Sequence, residues 1–227
     1  MSAAAAAPLA PMLIIGAIVV TIGVGAYFAY LNEKKRTAAL ADAALRLGFS
    51  FEQKVSNEEA ATLGSFHLFK IGRSRKGKNL MRGKSDGADA VLLDYQYTVG
   101  GGKNSHTYSQ TVVIYAGEAG GAALPDFTLG PEHWWNKVGE VFGHRDINFE
   151  ASEEFSKHYL LKGPDEAAIR TLFGAEPLGF FAQHQGWSVE SAAGSLVIYH
   201  SGRRVKPEEM QPFLADTAAL RRALVRD

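Results

Sequence analysis

The hydrophobic pattern is strongest near the N-terminus, where residues 12–31 (MLIIGAIVVTIGVGAYFAYL) form 20 consecutive positions without a charge. An α-helix rises about 1.5 Å per residue, so a helix of this length spans about 30 Å, the thickness of the hydrocarbon core of a bilayer. The pattern predicts a transmembrane helix over residues 12–31. A buried core helix and a cleaved signal peptide are the alternatives, but the preceding residues, MSAAAAAPLAP, hold no basic side chain of the kind that opens a signal peptide.

Charged residues directly after this helix predict its orientation in the membrane. Lys34, Lys35 and Arg36 follow the apolar stretch, whereas residues 1–11 carry no charged side chain. Basic flanks are retained on the cytoplasmic side of a membrane. We therefore expect a disordered Ala/Pro leader over residues 1–11 outside the cytoplasm and a cytoplasmic C-terminal domain.

Residues 32–48 keep a helical composition and end on Gly48, which is typical of a helix C-terminus. They predict a basic helical stem that continues the membrane helix. The soluble domain then covers residues 49–227, and an internal boundary near residues 117–130 is an alternative to an undivided domain.

The first half of the soluble domain has the alternation and the β-branched and aromatic content of strands. Strands are predicted over residues 66–71, 90–99 and 107–116. Because the glycine-rich connector of residues 100–105 joins the last two, these are expected to form an antiparallel hairpin.

The second half is divided by helix signals, in which proline and acidic residues precede an apolar-periodic segment. These signals predict three helices, over residues 131–143, 164–174 and 207–224. Two short apolar runs, residues 187–190 and 195–200, predict a second hairpin with its turn near Gly194. The predicted fold is α+β, with a mainly antiparallel sheet and the three helices packed on it.

Two segments resemble a group of bacterial proteins that carry one N-terminal anchor. They are residues 155–173 (FSKHYLLKGPDEAAIRTLF) and residues 94–98 (DYQYT), and the resemblance extends over most of residues 45–215. The resemblance implies a bacterial, membrane-anchored protein. It implies no activity and no binding site.

The charge of the chain is balanced overall but strongly polarised. Residues 32–84 hold 12 Lys/Arg and 5 Asp/Glu, a net of +7, whereas residues 85–227 hold 12 and 19, a net of −7. Anionic lipid attracts such a basic segment by about 1 kcal/mol for each basic residue near the surface. With the flank Lys34, Lys35 and Arg36, the residues predicted to contact the membrane surface are Lys70, Arg73, Arg75, Lys76, Lys78, Arg82 and Lys84.

The alternative is a solvated loop whose basic side chains form ion pairs with the acidic second half. Each exposed ion pair contributes about 0–1 kcal/mol to stability. Nucleic acid is not expected as a partner, because no aromatic residues lie between Arg73 and Arg82 to stack on bases.

Motifs for cofactor or metal chemistry are not found. The absence of cysteine excludes disulfides, zinc fingers, iron–sulfur ligands and a thiol nucleophile. The run Gly100-Gly101-Gly102-Lys103-Asn104 lacks the spacing and the hydroxyl residue of a phosphate-binding loop, and the 7 histidines lack the i, i+4 spacing of a helical metal site. No cofactor and no metal are predicted.

The main functional hypothesis is a single-pass membrane protein with a cytoplasmic, non-catalytic binding or scaffolding domain, and an unidentified protein partner for its acidic half. The alternative is a membrane-tethered enzyme whose site combines Asp94, His133, His144 and Asp146. Asp94 lies within an apolar run, where burial would raise the pKa of a carboxyl group. A third hypothesis is a small barrel or sandwich that binds lipid head groups through a loop at residues 70–84.

Overall fold

A computed structural model of the chain describes residues 9–56, 63–117, 124–132, 146–149 and 152–225. The chain divides into two compact units, residues 1–40 and 41–227. Most of the leader and residues 133–143 of the first predicted helix lie outside the described residues.

The first helix, α1, extends over Leu9–Leu47, a length of 39 residues. It is long and apolar enough to cross a membrane, with a mean hydropathy of 2.1 in its most apolar part. That part is exposed to solvent, as at Leu13, which is 73% exposed. The helix ends at Leu47 and is followed by Gly48, whose φ of 73° lets Gly48 N–H reach Leu45 O at 3.2 Å and Phe49 N–H reach Ala44 O at 2.8 Å.

The described part of the second unit forms one antiparallel sheet with the strand order β1-β2-β3-β4-β8-β7-β5-β6. The strands are β1 Ser50–Lys54, β2 Arg73–Ser85, β3 Ala88–Val99, β4 His106–Tyr115, β5 Phe127–Pro131, β6 Tyr159–Lys162, β7 Ser188–Ala192 and β8 Ser195–Tyr199. The helices are α2 Glu153–His158, α3 Glu166–Leu172, α4 Ala175–Gln183 and α5 Met210–Leu224, with 3₁₀ turns at Gly102–Asn104 and Pro207–Glu209. The predicted α+β fold with an antiparallel sheet is confirmed.

Both predicted hairpins are present. Strands β3 and β4 pair from Ala90 opposite Tyr115 to Val99 opposite His106. Strands β7 and β8 are joined by Ala193 and Gly194, whose φ values of 50° and 77° give the left-handed conformation that tight two-residue turns need.

Two of the predicted helices are also observed. Helix α3 begins after Asp165, whose carboxylate accepts a hydrogen bond of 3.0 Å from Ala168 N–H. Helix α5 covers the last predicted segment and buries the side chains of Phe213, Leu220 and Leu224.

The predicted strand over residues 66–71 is wrong. Residues 63–72, which we call the strap, run as turns and bends across one face of the sheet. Phe66, Leu68 and Phe69 are all buried against the sheet, and the Phe69 ring meets Tyr95 edge-on at 4.7 Å. Neighbouring side chains of a strand point to opposite faces, so a strand would have pointed either Leu68 or Phe69 to solvent. Tertiary packing therefore overrides the strand pattern here.

The expected basic loop is also corrected, because most of it is strand β2. Leu80 and Met81, in the middle of the segment, are each 1% exposed. Their burial, together with pairing to both β1 and β3, makes residues 73–85 an inner strand with basic ends.

The two faces of the sheet are covered differently. The strap covers the face that carries Tyr97 and Tyr199. Helices cover the other face, as in the contact of 5.2 Å between the rings of Phe127 and Phe173 and the hydrogen bond of 3.0 Å between the hydroxyls of Tyr115 and Thr217.

Candidate functional site

A buried carboxylate, Glu190, lies on strand β7 beneath the strap. It is 2% exposed and pairs in register with Thr128 of β5 and Val197 of β8. Directly opposed residues of antiparallel strands present their side chains on the same face. Glu190 and Thr128 therefore both lie on the face of the sheet that the strap covers.

The Glu190 carboxylate is held by donors from two elements. Leu68 N–H of the strap donates to both oxygens, at 3.0 Å to Oε1 and 3.1 Å to Oε2, and the Tyr199 hydroxyl donates to Oε1 at 3.2 Å. Burial raises the pKa of Glu190 to about 7, and the hydrogen bonds from the strap and from Tyr199 oppose that rise. Glu190 thus connects the strap to the sheet.

A cavity of about 360 Å³ opens beside Glu190, between the strap and the end of the sheet formed by β7, β5 and β6. Its buried lining residues are Glu190, Thr128, Phe127 and Ser191, and Lys162 is half-buried. Its exposed rim includes Lys70 and Asp126. The cavity therefore combines two carboxyl groups, three hydroxyls and two ammonium groups.

Three more polar residues of the cavity, His67, Asp126 and Lys70, have an assigned charge or hydrogen-bond partner. Burial and the neighbouring charge of Lys70 lower the pKa of His67 to about 4, so the imidazole is neutral at neutral pH. The Asp126 carboxylate accepts a hydrogen bond of 3.0 Å from Ala193 N–H in the β7–β8 turn. Lys70 Nζ donates to Ser65 O at 3.4 Å.

Asp94, a candidate from the sequence, is 3% exposed on the opposite face of β3. Its carboxylate accepts hydrogen bonds of 3.0 Å from Asn79 Nδ2 and from the Thr111 hydroxyl. Thr111 Oγ1 in turn accepts from Val205 N–H at 3.0 Å. Asp94 thus belongs to a polar network that fastens the segment before α5 to the sheet.

Asp146, a second candidate, lies beside the edge strand β6. Its Oδ1 accepts a hydrogen bond of 2.9 Å from Leu161 N–H, and burial raises the pKa of its carboxyl group. Five strand spacings separate β3 from β6, which places Asp94 about 24 Å from this edge at about 4.8 Å per spacing. The structure does not bring Asp94 and Asp146 together, and His133 and His144 lie outside the described residues.

The predicted membrane-contact residues separate into two groups. Most contact their own domain. Two form ion pairs: Arg82 with Glu52 at 2.5 Å and Lys84 with Asp89 at 2.8 Å. Three donate hydrogen bonds to backbone carbonyls: Lys70 to Ser65, Arg73 to Gly100, and Arg75 to Phe69 and Lys70. Lys76 and Lys78 line a shallow surface depression, together with Arg204 and Asp94.

A third lysine lies next to this depression. Lys54 of β1 lies directly across from Lys78 of β2 in the ladder. We call Lys54, Lys76, Lys78 and Arg204 the basic face. Lys78 also lies directly across from Asp94 of β3, a buried carboxylate that lines the same depression. The basic face thus sets four basic side chains against one carboxylate, and this excess of positive charge favours an anionic partner.

The sequence did not single out Glu190, Thr128 or Lys162. Glu190 appeared there only as the end of a predicted strand, next to Val189. A carboxylate inside an otherwise buried hairpin is the signal that could have found it, and the same signal did draw attention to Asp94. Lys162 had no such signal, because a lysine at the end of an amphipathic strand is commonplace.

Comparisons with known proteins give few matches. No family model and no curated protein matches the chain. Among solved structures, it is similar to the crystal structure of the mycobacterial trehalose monomycolate transport factor A, TtfA. The two are 10% identical, with a TM-score of 0.51 over 83% of this chain and 96% of that chain. At this level of identity the likeness concerns the fold alone. In the present chain, the domain follows an apolar N-terminal helix that is long enough to anchor it in a membrane.

Proposed function

We propose that the chain is a single-pass membrane protein whose cytoplasmic domain is a non-catalytic binding module at the membrane surface. The observation that carries the proposal is the basic face, where Lys76, Lys78 and Arg204 surround one depression and Lys54 adjoins it. At about 1 kcal/mol for each basic residue near anionic lipid, these residues contribute a few kcal/mol. That is sufficient to orient a domain that α1 already tethers.

The flank of α1 supports the cytoplasmic orientation. Lys34, Lys35 and Arg36 lie within the helix just after its apolar part, with Lys34 and Lys35 exposed. A green fluorescent protein fused after Asp227 is expected to fluoresce, and alkaline phosphatase at the same position to be inactive, because only the former functions in the cytoplasm. The opposite pair of results would reverse the proposed topology without affecting the basic face.

The fold supports an accessory role. The solved protein with a similar fold is described as a transport factor for trehalose monomycolate. We extend the comparison only to the class of role: a membrane-anchored domain that assists the handling of lipid or of a protein partner at the bilayer surface.

Charge reversal at the basic face tests the proposal. Because the chain has no cysteine, a Ser74→Cys variant accepts one environment-sensitive fluorophore beside the basic face. In full-length protein in nanodiscs, phosphatidylglycerol should shift the emission to the blue relative to phosphatidylcholine alone. Lys76→Glu should remove most of that shift. Lys157→Glu, an equal charge change on α2, should leave it intact.

Two results would contradict membrane-surface binding. One is an emission spectrum that is the same in anionic and zwitterionic nanodiscs. The other is an equal loss in both charge variants, which would make the effect one of net charge. High salt should weaken a genuine shift, because it screens exposed charges over about 10 Å or less.

A further inference from the structure

Three lining residues of the cavity form a row across neighbouring strands. Glu190 of β7 pairs with Thr128 of β5, and Thr128 pairs with Lys162 of β6. At about 4.8 Å per strand spacing, the row extends about 10 Å between the Glu190 and Lys162 backbones. It presents a carboxyl, a hydroxyl and an ammonium group in that order on one face of the sheet.

The two ends of this row differ in accessibility. Glu190 and Thr128 are 2% and 3% exposed, so they form the buried end of the cavity. Lys162 is half-buried, and Lys70 of the strap adds a second ammonium group at the exposed rim. The Asp126 carboxylate also lies at the rim, where it accepts a hydrogen bond from Ala193 N–H. The two ammonium groups outnumber it, so a ligand that fits both ends donates hydroxyl hydrogen bonds at the buried end and carries negative charge toward Lys70 and Lys162.

The size of the cavity narrows the class of ligand further. Small-molecule sites usually enclose about 300–1,000 Å³. The volume of about 360 Å³ lies near the lower limit and suits a head group rather than an acyl chain. Two ammonium groups within reach of one ligand match a phosphate ester, since lysine is a common point-charge partner of phosphate.

We propose that this cavity binds the phosphate ester of a polyol, with Lys70 and Lys162 contacting the phosphate and Glu190 and Thr128 contacting hydroxyl groups. Such a group occurs both as a free metabolite and as the head group of a phospholipid. The inference extends the proposed function, but it concerns a different surface from the basic face and stands without it.

The test uses full-length protein in nanodiscs of phosphatidylcholine alone, titrated with myo-inositol 1-phosphate in a calorimeter. Saturable binding is expected, with methyl phosphate binding about tenfold or more weakly because it lacks hydroxyl donors. Lys162→Gln should weaken binding of both compounds about tenfold or more, because a charge-assisted contact is lost. Thr128→Val should weaken only the inositol phosphate, and so reduce the preference for it over methyl phosphate.

Matched controls separate this site from general charge effects. Lys157→Gln, the same substitution on α2, should bind like the unaltered protein, and so should the basic-face variant Lys76→Glu. Thermal unfolding of each variant shows whether it is folded. The proposal is overturned if folded protein binds no inositol phosphate, or if Lys162→Gln and Lys157→Gln weaken binding equally.

The source of the head group is decided by adding phosphatidylinositol to the nanodiscs. Loss of binding of the soluble ligand would show that the lipid head group occupies the cavity. Unchanged binding would identify the free phosphate ester as the ligand. Phosphatidylserine, which is anionic but has no polyol head group, should leave binding of the soluble ligand unchanged and so separates head-group competition from surface charge. The binding measured in phosphatidylcholine nanodiscs is distinct from failure of the basic face, because soluble ligand and zwitterionic nanodiscs do not require anionic-surface binding.

Discussion

The two buried carboxylates of the sheet, Asp94 and Glu190, have nearly equal exposure but very different surroundings. Asp94 is held by side chains of adjacent strands, Asn79 of β2 and Thr111 of β4. Glu190 is held by a backbone N–H of the strap and by the hydroxyl of Tyr199, and it borders a cavity of about 360 Å³, whereas Asp94 lines the shallow depression of the basic face. The comparison teaches that a buried acid is not by itself a functional signal, because its partners and its access to a cavity decide its role.

The largest effect is expected from Asp94→Ala. The substitution removes the acceptor of two buried hydrogen bonds, and hydrogen bonds to a charged group contribute about 1.5–3 kcal/mol each. We expect the free energy of unfolding to fall by about 4 kcal/mol in denaturant titrations. Asp94→Asn, which keeps one amide oxygen as an acceptor, should lose less. Equal stability of Asp94→Ala and the unaltered protein would show that the network is not structural.

The next effect is a pH dependence specific to Glu190. Its pKa rises from 4.5 to about 7 in the folded protein, so the folded state holds a proton that the unfolded chain releases between these values. The stability from this group is complete below about pH 4.5 and is lost as the pH rises to about 7, on the order of 3 kcal/mol.

His67 acts in the opposite sense. Its pKa falls from 6.5 to about 4, so its contribution is present above about pH 6.5 and is lost as the pH falls to about 4. Of these two pH-dependent contributions to stability, the Glu190→Gln variant keeps only that of His67. Its stability relative to the unaltered protein should therefore improve steadily from pH 4.5 to pH 7 in denaturant titrations. A constant difference between the two proteins across this range would contradict the shifted pKa of Glu190.

The smallest effect is expected from Tyr199→Phe. Removing the hydroxyl takes away one hydrogen bond to Glu190 Oε1, which should cost about 1 kcal/mol and raise the pKa of Glu190 further. The matched control is Tyr95→Phe, because the Tyr95 hydroxyl is buried without a hydrogen-bond partner in the described part of the chain. That change should be neutral or stabilising. If both variants lose the same stability, the Tyr199 bond contributes nothing specific.

Elements whose signals are local were predictable from the sequence. The glycine-rich connector before β4 and the Ala193–Gly194 turn each join strands that are adjacent in the chain, so the hairpins needed no knowledge of the rest of the fold. The caps at Asp165 and Gly48 likewise act within one turn of their helices.

Elements that depend on distant partners were not predictable in this way. The strap reads as a strand locally, yet Leu68 N–H bonds to Glu190, 122 positions away in the sequence. Strand β2 reads as a basic loop, yet it pairs on both sides and buries Leu80 and Met81. Long-range contacts of this kind outweigh local propensity, because burial of apolar side chains contributes more than the small differences between local preferences.

The sequence by itself determined the apolar helix, the class of fold and the polarised charge, because each follows from composition and short-range periodicity. Only the tertiary structure decided which charged residues act together. It placed Glu190, Thr128 and Lys162 in one row on three strands and separated Asp94 from Asp146 by about 24 Å. The physical reason is strand order: β5 lies between β7 and β6 only after the sheet has formed, and no pattern along the chain records that adjacency.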